Sequence, residues 1–267
     1  MIENNQKNIA LIVGTGPGDP GLLTLEADSA IRNADIILYD CKAVEPVLII
    51  APATAAVIAV ERSQYENGQG CREETPMIRA IREHYNNGLR VVRLKAGDPT
   101  LFGGEVDECD VLDRIGIPYR ILPGVSAGAA AASAYAVPIS RKFESDAVVN
   151  IIVNEITDDL GQLLGNGAKM LRCGATMVLY MATSNLPGIL RIFAEAGVSE
   201  ETPVVAVSKA GWPEEAMVET TLGAMGAGGI SPGITEPVVY TIGRYVRVRK
   251  FPAESRKCAA TTAKCVQ

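Results

Sequence analysis

The stretch at residues 93–104, RLKAGDPTLFGG, sets one aspartate, Asp98, among glycines and a proline directly after an apolar-rich run. An apolar run ending in Gly-Asp-Pro predicts a strand that leaves a sheet and turns at once. Gly97 allows the backbone to approach a ligand closely, Asp98 supplies acceptor oxygens, and Pro99 sets the exit direction. In open α/β sheets such strand ends are where ligands bind. A second acidic strand end, Tyr39-Asp40, closes the run ADIILYD. Chemistries that need other residue types drop out. The single histidine, His84, lies in the polar helical stretch ETPMIRAIREHYNNG and reads as a surface residue, so neither a Ser-His-Asp triad nor a multi-histidine metal site is expected. Six cysteines (Cys41, Cys71, Cys109, Cys173, Cys258 and Cys265) show no C-x-x-C spacing, which argues against a metal cluster and a disulfide framework alike.

A scaffold must hold these acids in place. With 48% hydrophobic residues, only 5% aromatic and 26 glycines, the composition suits a globular α/β protein packed through small side chains. A length of 267 residues fits one large domain or two ordinary ones. The net charge of −6, with no basic block before the C-terminus, disfavours nucleic acid or an anionic membrane as partner. No apolar run reaches membrane-spanning length, and the start MIENNQKN is too polar for a signal peptide, so a soluble, cytoplasmic protein is expected.

Periodicity predicts strands at 9–13, 34–40, 56–60, 89–95 and 119–122, and a short helix or strand at 46–51. Helices are expected at 22–33, capped by Thr24, at 74–87, closed by Gly88, and at 107–115. A polar, glycine-bearing loop falls at 63–75. This β–α alternation means a mostly parallel sheet. The turn Pro123-Gly124-Val125-Ser126 leads into an alanine-rich helix at 127–135 that must pack tightly. Beyond it, strands are expected at 148–153, 176–181, 204–207 and 238–242, and helices at 156–165, 184–197 and 214–226. The domains read as 1–123 and 124–248, each with its own sheet, followed by a flexible tail at 249–267.

The glycine-rich opening at 14–20, GTGPGDP, has no Gly-Lys-Ser/Thr ending and is not a P-loop. Asp19 would repel a pyrophosphate, so a neutral or cationic ligand such as S-adenosylmethionine suits the loop better; a plain tight turn is the other explanation. Taken together, VGTGPGDPGLLTLEA, ADIILYD, RLKAGDPTLFGG and ILPGVSAGAAAASAYAVPIS resemble the successive signatures of the tetrapyrrole methylase family. The likeness is greatest to its uroporphyrinogen-III C-methyltransferases. ATMVLYMATSNLPGI and TPVVAVSKAGWPEEAMVETTLG follow in the family order, so the resemblance runs from about residue 9 to residue 246.

The resemblance implies two αβα domains with mostly parallel or mixed sheets, the cofactor in the cleft between them, and a homodimer. It implies methyl transfer from S-adenosylmethionine to ring carbons of a polycarboxylate tetrapyrrole, in sirohaem or cobalamin biosynthesis, with S-adenosylhomocysteine as product. The implied cofactor contacts are Pro17, Ala96, Gly97, Asp98, Leu101, Ser126, Ala127, Met181 and Ala210. From its strand pattern alone Met181 would instead be a core residue. Asp40 matches a family position proposed as proton acceptor. Arg62 stands where that family often has a lysine proposed as donor, and an arginine that stays charged suits a substrate carboxylate better.

The chain also departs from the uroporphyrinogen-III enzymes. Their Phe-Gly-Arg is Phe102-Gly103-Gly104 here, a glutamate just beyond becomes Asp107, and Pro-Leu-Thr-His-Arg becomes Pro138-Ile139-Ser140-Arg141-Lys142. Arg141 and Lys142, with Arg62 and Arg72, are the candidates to rebuild a positive lining for the substrate, and Asp107 joins them as a substrate-side position. The Gly-Trp-Pro-Glu-Glu segment at 211–215 is closer to the cobalt-precorrin-4 methyltransferases. A divergent methylase acting on a non-tetrapyrrole substrate, and a non-catalytic module that binds the cofactor or a porphyrin, are the further alternatives.

Overall fold

Apolar runs of four or five residues form the strands of a first sheet: Ala10–Gly14 (β1), Ile36–Tyr39 (β2), Ala56–Ala59 (β3), Val91–Lys95 (β4) and Tyr119–Leu122 (β5). The computed structural model describes residues 9–61, 75–102, 105–153, 157–228 and 233–249. The strands lie in the order β3-β2-β4-β1-β5, and every pairing is parallel. A parallel sheet is covered on both faces, which is why its central strands are almost wholly apolar. The connecting helices are Leu25–Arg32 (α1), Pro76–Asn86 (α2) and Glu105–Arg114 (α3).

Caps fix where these helices begin and end. Thr24 Oγ1 accepts from the Ala27 N–H at 3.1 Å, and Thr75 Oγ1 does the same for Ile78 at 3.2 Å. Beyond α2 the chain turns at Gly88 with φ +76°, a left-handed conformation that glycine adopts without strain. The run at 46–51 belongs to a 3-10 helix, Lys42–Ile50.

Alternation along each strand divides the core in two. Ile12, Ile36, Leu38 and Val91 pack with Ile78 and Ile81 of α2 and Leu112 of α3. Val13, Ile37, Val92 and Leu94 face the other way, onto Ala27 and Ile31 of α1 and onto Val44 and Val47. Each such side chain contributes about 1.5–3 kcal/mol by leaving water. Position 93 alternates onto the α2–α3 face and puts an arginine in the first of these layers.

The second unit carries Val148–Ile152 (β6), Thr176–Tyr180 (β7), Pro203–Ser208 (β8), Ala216–Thr221 (β9) and Val238–Ile242 (β10) in the order β6-β7-β10-β8-β9. Only β6 and β7 pair parallel; the other three pairings are antiparallel. Ala127–Ala134 (α4) opens this half, and Asp158–Arg172 (α5), Leu186–Glu195 (α6) and Leu222–Gly228 (α7) follow. Leu164 and Leu171 of α5 and Ile189 and Phe193 of α6 bury Met177, Leu179 and Tyr240. Tight packing of the alanine-rich helix is evident at Gly128, where an added Cβ would stand 2.3 Å from Tyr180 Oη and 3.0 Å from Val178 Cγ1.

The helix expected at 214–226 is not one. Residues 216–221 form the edge strand β9, with Val218 opposite Ala206 and Met217 opposite Val207, and only the short α7 follows. The β-branched Val-Glu-Thr-Thr run carries the strand preference, and the antiparallel partner β8 makes it decisive. The chain divides into compact units at Ala127/Gly128, where α4 begins. The loop at 63–74 and the tail from residue 250 lie outside the described residues. No helix among the described residues is long and apolar enough to cross a membrane.

At the start of β2 and β4, the Asp35 carboxylate accepts from the Arg90 backbone N–H at 2.8 Å and from its guanidinium at 2.9 and 2.6 Å. These side-chain and then backbone hydrogen bonds hold the carboxyl at about 2, against an ordinary 3.8. A depressed folded value means the stabilisation is full above 3.8 and is lost as pH falls through about 2. Asp35→Asn should therefore flatten the acid limb of stability below the ordinary carboxylate range, measured as urea midpoints across that limb.

Candidate functional site

Three turns leaving neighbouring strands of the first sheet meet backbone to backbone. Thr15, just past β1, donates its N–H and its Oγ1 to the Lys95 carbonyl at 2.8 and 2.9 Å. Gly16 and Gly97 then exchange both backbone hydrogen bonds, at 2.7 and 3.2 Å, in an antiparallel bridge just past the parallel β1–β4 ladder. A Cβ at Gly124 would lie 2.1 Å from the Gly97 carbonyl oxygen, and one at Gly14 would lie 2.6 Å from Gly124 N. Only glycine fits at either position. Asp98 ties the arrangement together, with Oδ1 accepting from the Thr100 N–H at 2.8 Å and Oδ2 from the Gly124 N–H at 3.1 Å. Its oxygens hold the turns, and the turn at Gly97 presents backbone.

Beside this junction, the α3 face of the sheet carries a buried charge cluster. Arg93, at the centre of β4, is 0% exposed. Its Nη1 donates to Asp40 Oδ1 at 2.9 Å, and its Nη2 lies 2.8 Å from Asp40 Oδ2. Its other edge meets Glu108 of α3, Nε to Oε2 at 3.4 Å and Nη2 to Oε1 at 3.2 Å, while Nη1 also donates to the Leu94 carbonyl at 2.8 Å. Lys95 Nζ stands 3.8 Å from Glu108 Oε1. Burial opposes the charged guanidinium, but the Glu108 charge and the hydrogen bond and charge of Asp40 outweigh it, so the Arg93 pKa is raised. Arg93, Glu108 and Lys95 were not singled out as functional from the sequence, although a signal existed. An arginine inside VVRLK, in a strand with both faces covered, must bring a counter-charge with it.

The other expected site residues fall as follows. Pro17 lies between Gly16 and Gly18, both at positive φ. Ala96 precedes Gly97, whose φ is +73°, and the Leu101 N–H donates to the Asp98 carbonyl at 3.2 Å. Ser126 immediately precedes α4, and Ala127 is its first residue. In the second unit, β7 ends at Tyr180 and Met181 turns out at φ 53° with 58% exposure, so it is not a core methionine. A non-glycine residue held in this region marks a position that its surroundings determine. Ala210 is buried in the loop from β8 to β9. That loop is held by the Lys209 N–H donating to Pro237 at 2.7 Å and the Gly211 N–H donating to Glu215 Oε2 at 2.8 Å. Arg141 pairs with Glu144 at 2.7 Å and stacks 5.5 Å from the Tyr245 ring; Lys142 lies over Phe143 at 4.9 Å, and both cations are exposed. Arg62, Arg72, Gly103 and Gly104 lie outside the described residues, and Asp107 is placed only by its position in the first turn of α3.

Two substitutions test this framework. Gly124→Ala forces a methyl group into neighbouring backbone and should cost about 1–3 kcal/mol or more. Gly88→Ala, with open space around it but a left-handed φ, should cost only about 1 kcal/mol. Equal losses in denaturant unfolding would contradict the backbone junction. Arg93→Met leaves two carboxylates in the core without their guanidinium and should cost about 3–5 kcal/mol. Adding Asp40→Asn and Glu108→Gln to it should restore much of that loss in the same measurement.

The family model described as Tetrapyrrole (Corrin/Porphyrin) Methylases matches residues 11–226. A uroporphyrinogen-III C-methyltransferase of Synechococcus elongatus is 33% identical over 249 residues, which covers 92% of this chain and 96% of that relative. Among solved structures, a cobalt precorrin-4 methyltransferase superposes with a TM-score of 0.75 at 27% identity, over 88% of this chain and 94% of that one. A uroporphyrin-III C-methyltransferase from Thermus thermophilus, solved in complex with S-adenyl homocysteine, gives 0.71 at 26% identity, over 89% of this chain and 98% of that one. With a family match across most of its length and a 33% identical relative covered almost end to end, this chain belongs to the tetrapyrrole (corrin/porphyrin) methylase family.

Proposed function

We propose that this chain is an S-adenosylmethionine-dependent C-methyltransferase acting on a uroporphyrinogen-III or precorrin-type tetrapyrrole, in sirohaem or cobalamin biosynthesis. The observation that carries the cofactor reading is the Gly97 turn. Its backbone is fixed by the bridge to Gly16, yet among the described residues, its two chain neighbours aside, no heavy atom lies within 4 Å of the place a Cβ would take. That is a rigid backbone surface with room for a ligand against it, as an adenosyl group needs. Exposed Met181, a polarisable apolar side chain, and buried Ala210 are further cofactor contacts in this reading. When bound, the cofactor supplies an activated methyl group and leaves as its thioether.

The protein's own work is then to hold the nucleophilic ring carbon in line with that methyl group, and to take the proton that the carbon sheds. Asp40 is the acceptor in this reading. Its carboxylate is already oriented by Arg93, so it would need no rearrangement to act. Arg141 and Lys142 would meet substrate carboxylates. The exposed Arg141–Glu144 pair is worth little by itself and can be exchanged for a ligand carboxylate at small cost. The roles of Arg62 and Asp107 on the substrate side belong to the same reading, as does a cytoplasmic homodimer. A cobalt-precorrin-4 substrate is the second reading, supported by the Trp212 segment and by the likeness to the cobalt precorrin-4 enzyme.

Calorimetric titration should detect binding of S-adenosylmethionine and of S-adenosylhomocysteine; binding of neither would refute the methyltransferase reading. Gly97→Asp should remove that binding while retaining the fold, because the new side chain projects into the open space. Incubation with uroporphyrinogen III and the cofactor should add methyl masses to the product. A clean negative from protein that binds the cofactor would move the assignment to the later, cobalt-bearing precorrin.

A further inference from the structure

The geometry points to Arg93 and Glu108 as positioning residues that act through Asp40. Glu108 locks the guanidinium of Arg93, and Arg93 in turn presents the Asp40 carboxylate as proton acceptor. The inference deepens the proposed function and rests on the acceptor reading of Asp40.

Asp40 follows the last residue of β2, where the ladder no longer restrains it. Two nearly equal contacts from one planar guanidinium, 2.9 Å to Oδ1 and 2.8 Å to Oδ2, fix both the direction and the plane of its carboxylate. A long arginine side chain can do this only if it is itself immobile. Arg93 is held along its second edge by Glu108 at 3.4 and 3.2 Å and at Nη1 by the Leu94 carbonyl at 2.8 Å. Its side chain is 1% exposed and that of Glu108 6%, whereas that of Asp40 is 16% exposed. The acid that opens toward solvent is thus held by a fully sequestered cation, which is braced by a sequestered acid. Lys95, 3.8 Å from Glu108, balances the second negative charge. A purely structural ion pair at this place would need one carboxylate for the arginine; the second, on a separate helix, adds orientation.

Glu108→Gln keeps the size of the side chain and removes the charge. With uroporphyrinogen III as the assayed substrate, kcat should fall about tenfold to a hundredfold from misplacement of the acceptor. KM, and the calorimetric affinity for S-adenosylhomocysteine, should stay within about twofold of the parent. Combined with Asp40→Asn, the change should slow the enzyme no further than Asp40→Asn alone, because both act at one point. Glu108→Asp should recover part of the loss. An unchanged kcat in Glu108→Gln, or losses that multiply in the double variant, would overturn the inference while leaving Asp40 as acceptor. Wild-type kcat in Asp40→Asn would instead refute the acceptor reading and the inference with it. A readout independent of turnover is the carbon-13 resonance of the Asp40 carboxylate, assigned by its loss in Asp40→Asn. It should shift in Glu108→Gln, and an unmoved signal in a folded variant would overturn the positioning role whatever the substrate.

Discussion

Contact between the backbones of three turns, braced by the Asp98 side chain, is the constraint on which the first unit's strand-end junction depends. Parallel strands about 4.8 Å apart end side by side, and the turns leaving β1, β4 and β5 have to share that spacing. They do so because Gly14 and Gly124 carry no Cβ where the backbones touch. The Gly16–Gly97 bridge and the Asp98 bond to Gly124 convert this proximity into a fixed junction. Gly97 faces open space from a frame that cannot yield, so the loop does not collapse onto it.

Directly beside that frame, electrostatics takes over from packing. The cluster of Arg93, Asp40, Glu108 and Lys95 joins strand, strand end and helix in a layer that is otherwise apolar. Withdrawing a guanidinium from water costs several kcal/mol, and paired carboxylates with additional hydrogen bonds offset the cost only when the geometry is close. Such a cluster cannot drift, because any loosened contact leaves an unmatched charge in a medium that screens it poorly. The exposed pairs are different in kind. Arg141–Glu144 and Arg32–Asp28 sit in water, contribute little, and exchange partners easily. The charge beside the turn junction is thus buried and fixed, and the charge at the surface is exchangeable.

Much of the fold was legible in the residues because it follows from local rules. The Gly-Asp-Pro turn, the cap at Thr24, the left-handed Gly88 and the strands at 119–122 and 238–242 all depend on neighbours within a few positions. Residues 216–221 were misread as helix because an edge strand takes its identity from the partner it pairs with, here β8. Met181 looked like core because TMVLYM continues an apolar strand; the chain leaves the ladder one residue earlier, at a left-handed φ, and the side chain emerges.

By itself the sequence determined the kind of turn at each strand end, the alternation of strand and helix, and the motifs that mark the family. Those are properties of spacing and of individual side chains. Only the tertiary structure decided which acid meets Arg93. Asp40 lies 53 residues away and Glu108 15 residues away, and neither separation carries a local signal. Strand order places β2 beside β4, and α3 covers that face, so the three charges meet only once the sheet and its helix have assembled. A buried arginine announces that a counter-charge must exist; the fold alone selects it, because the match is made by proximity in a low-dielectric layer and not by position along the chain.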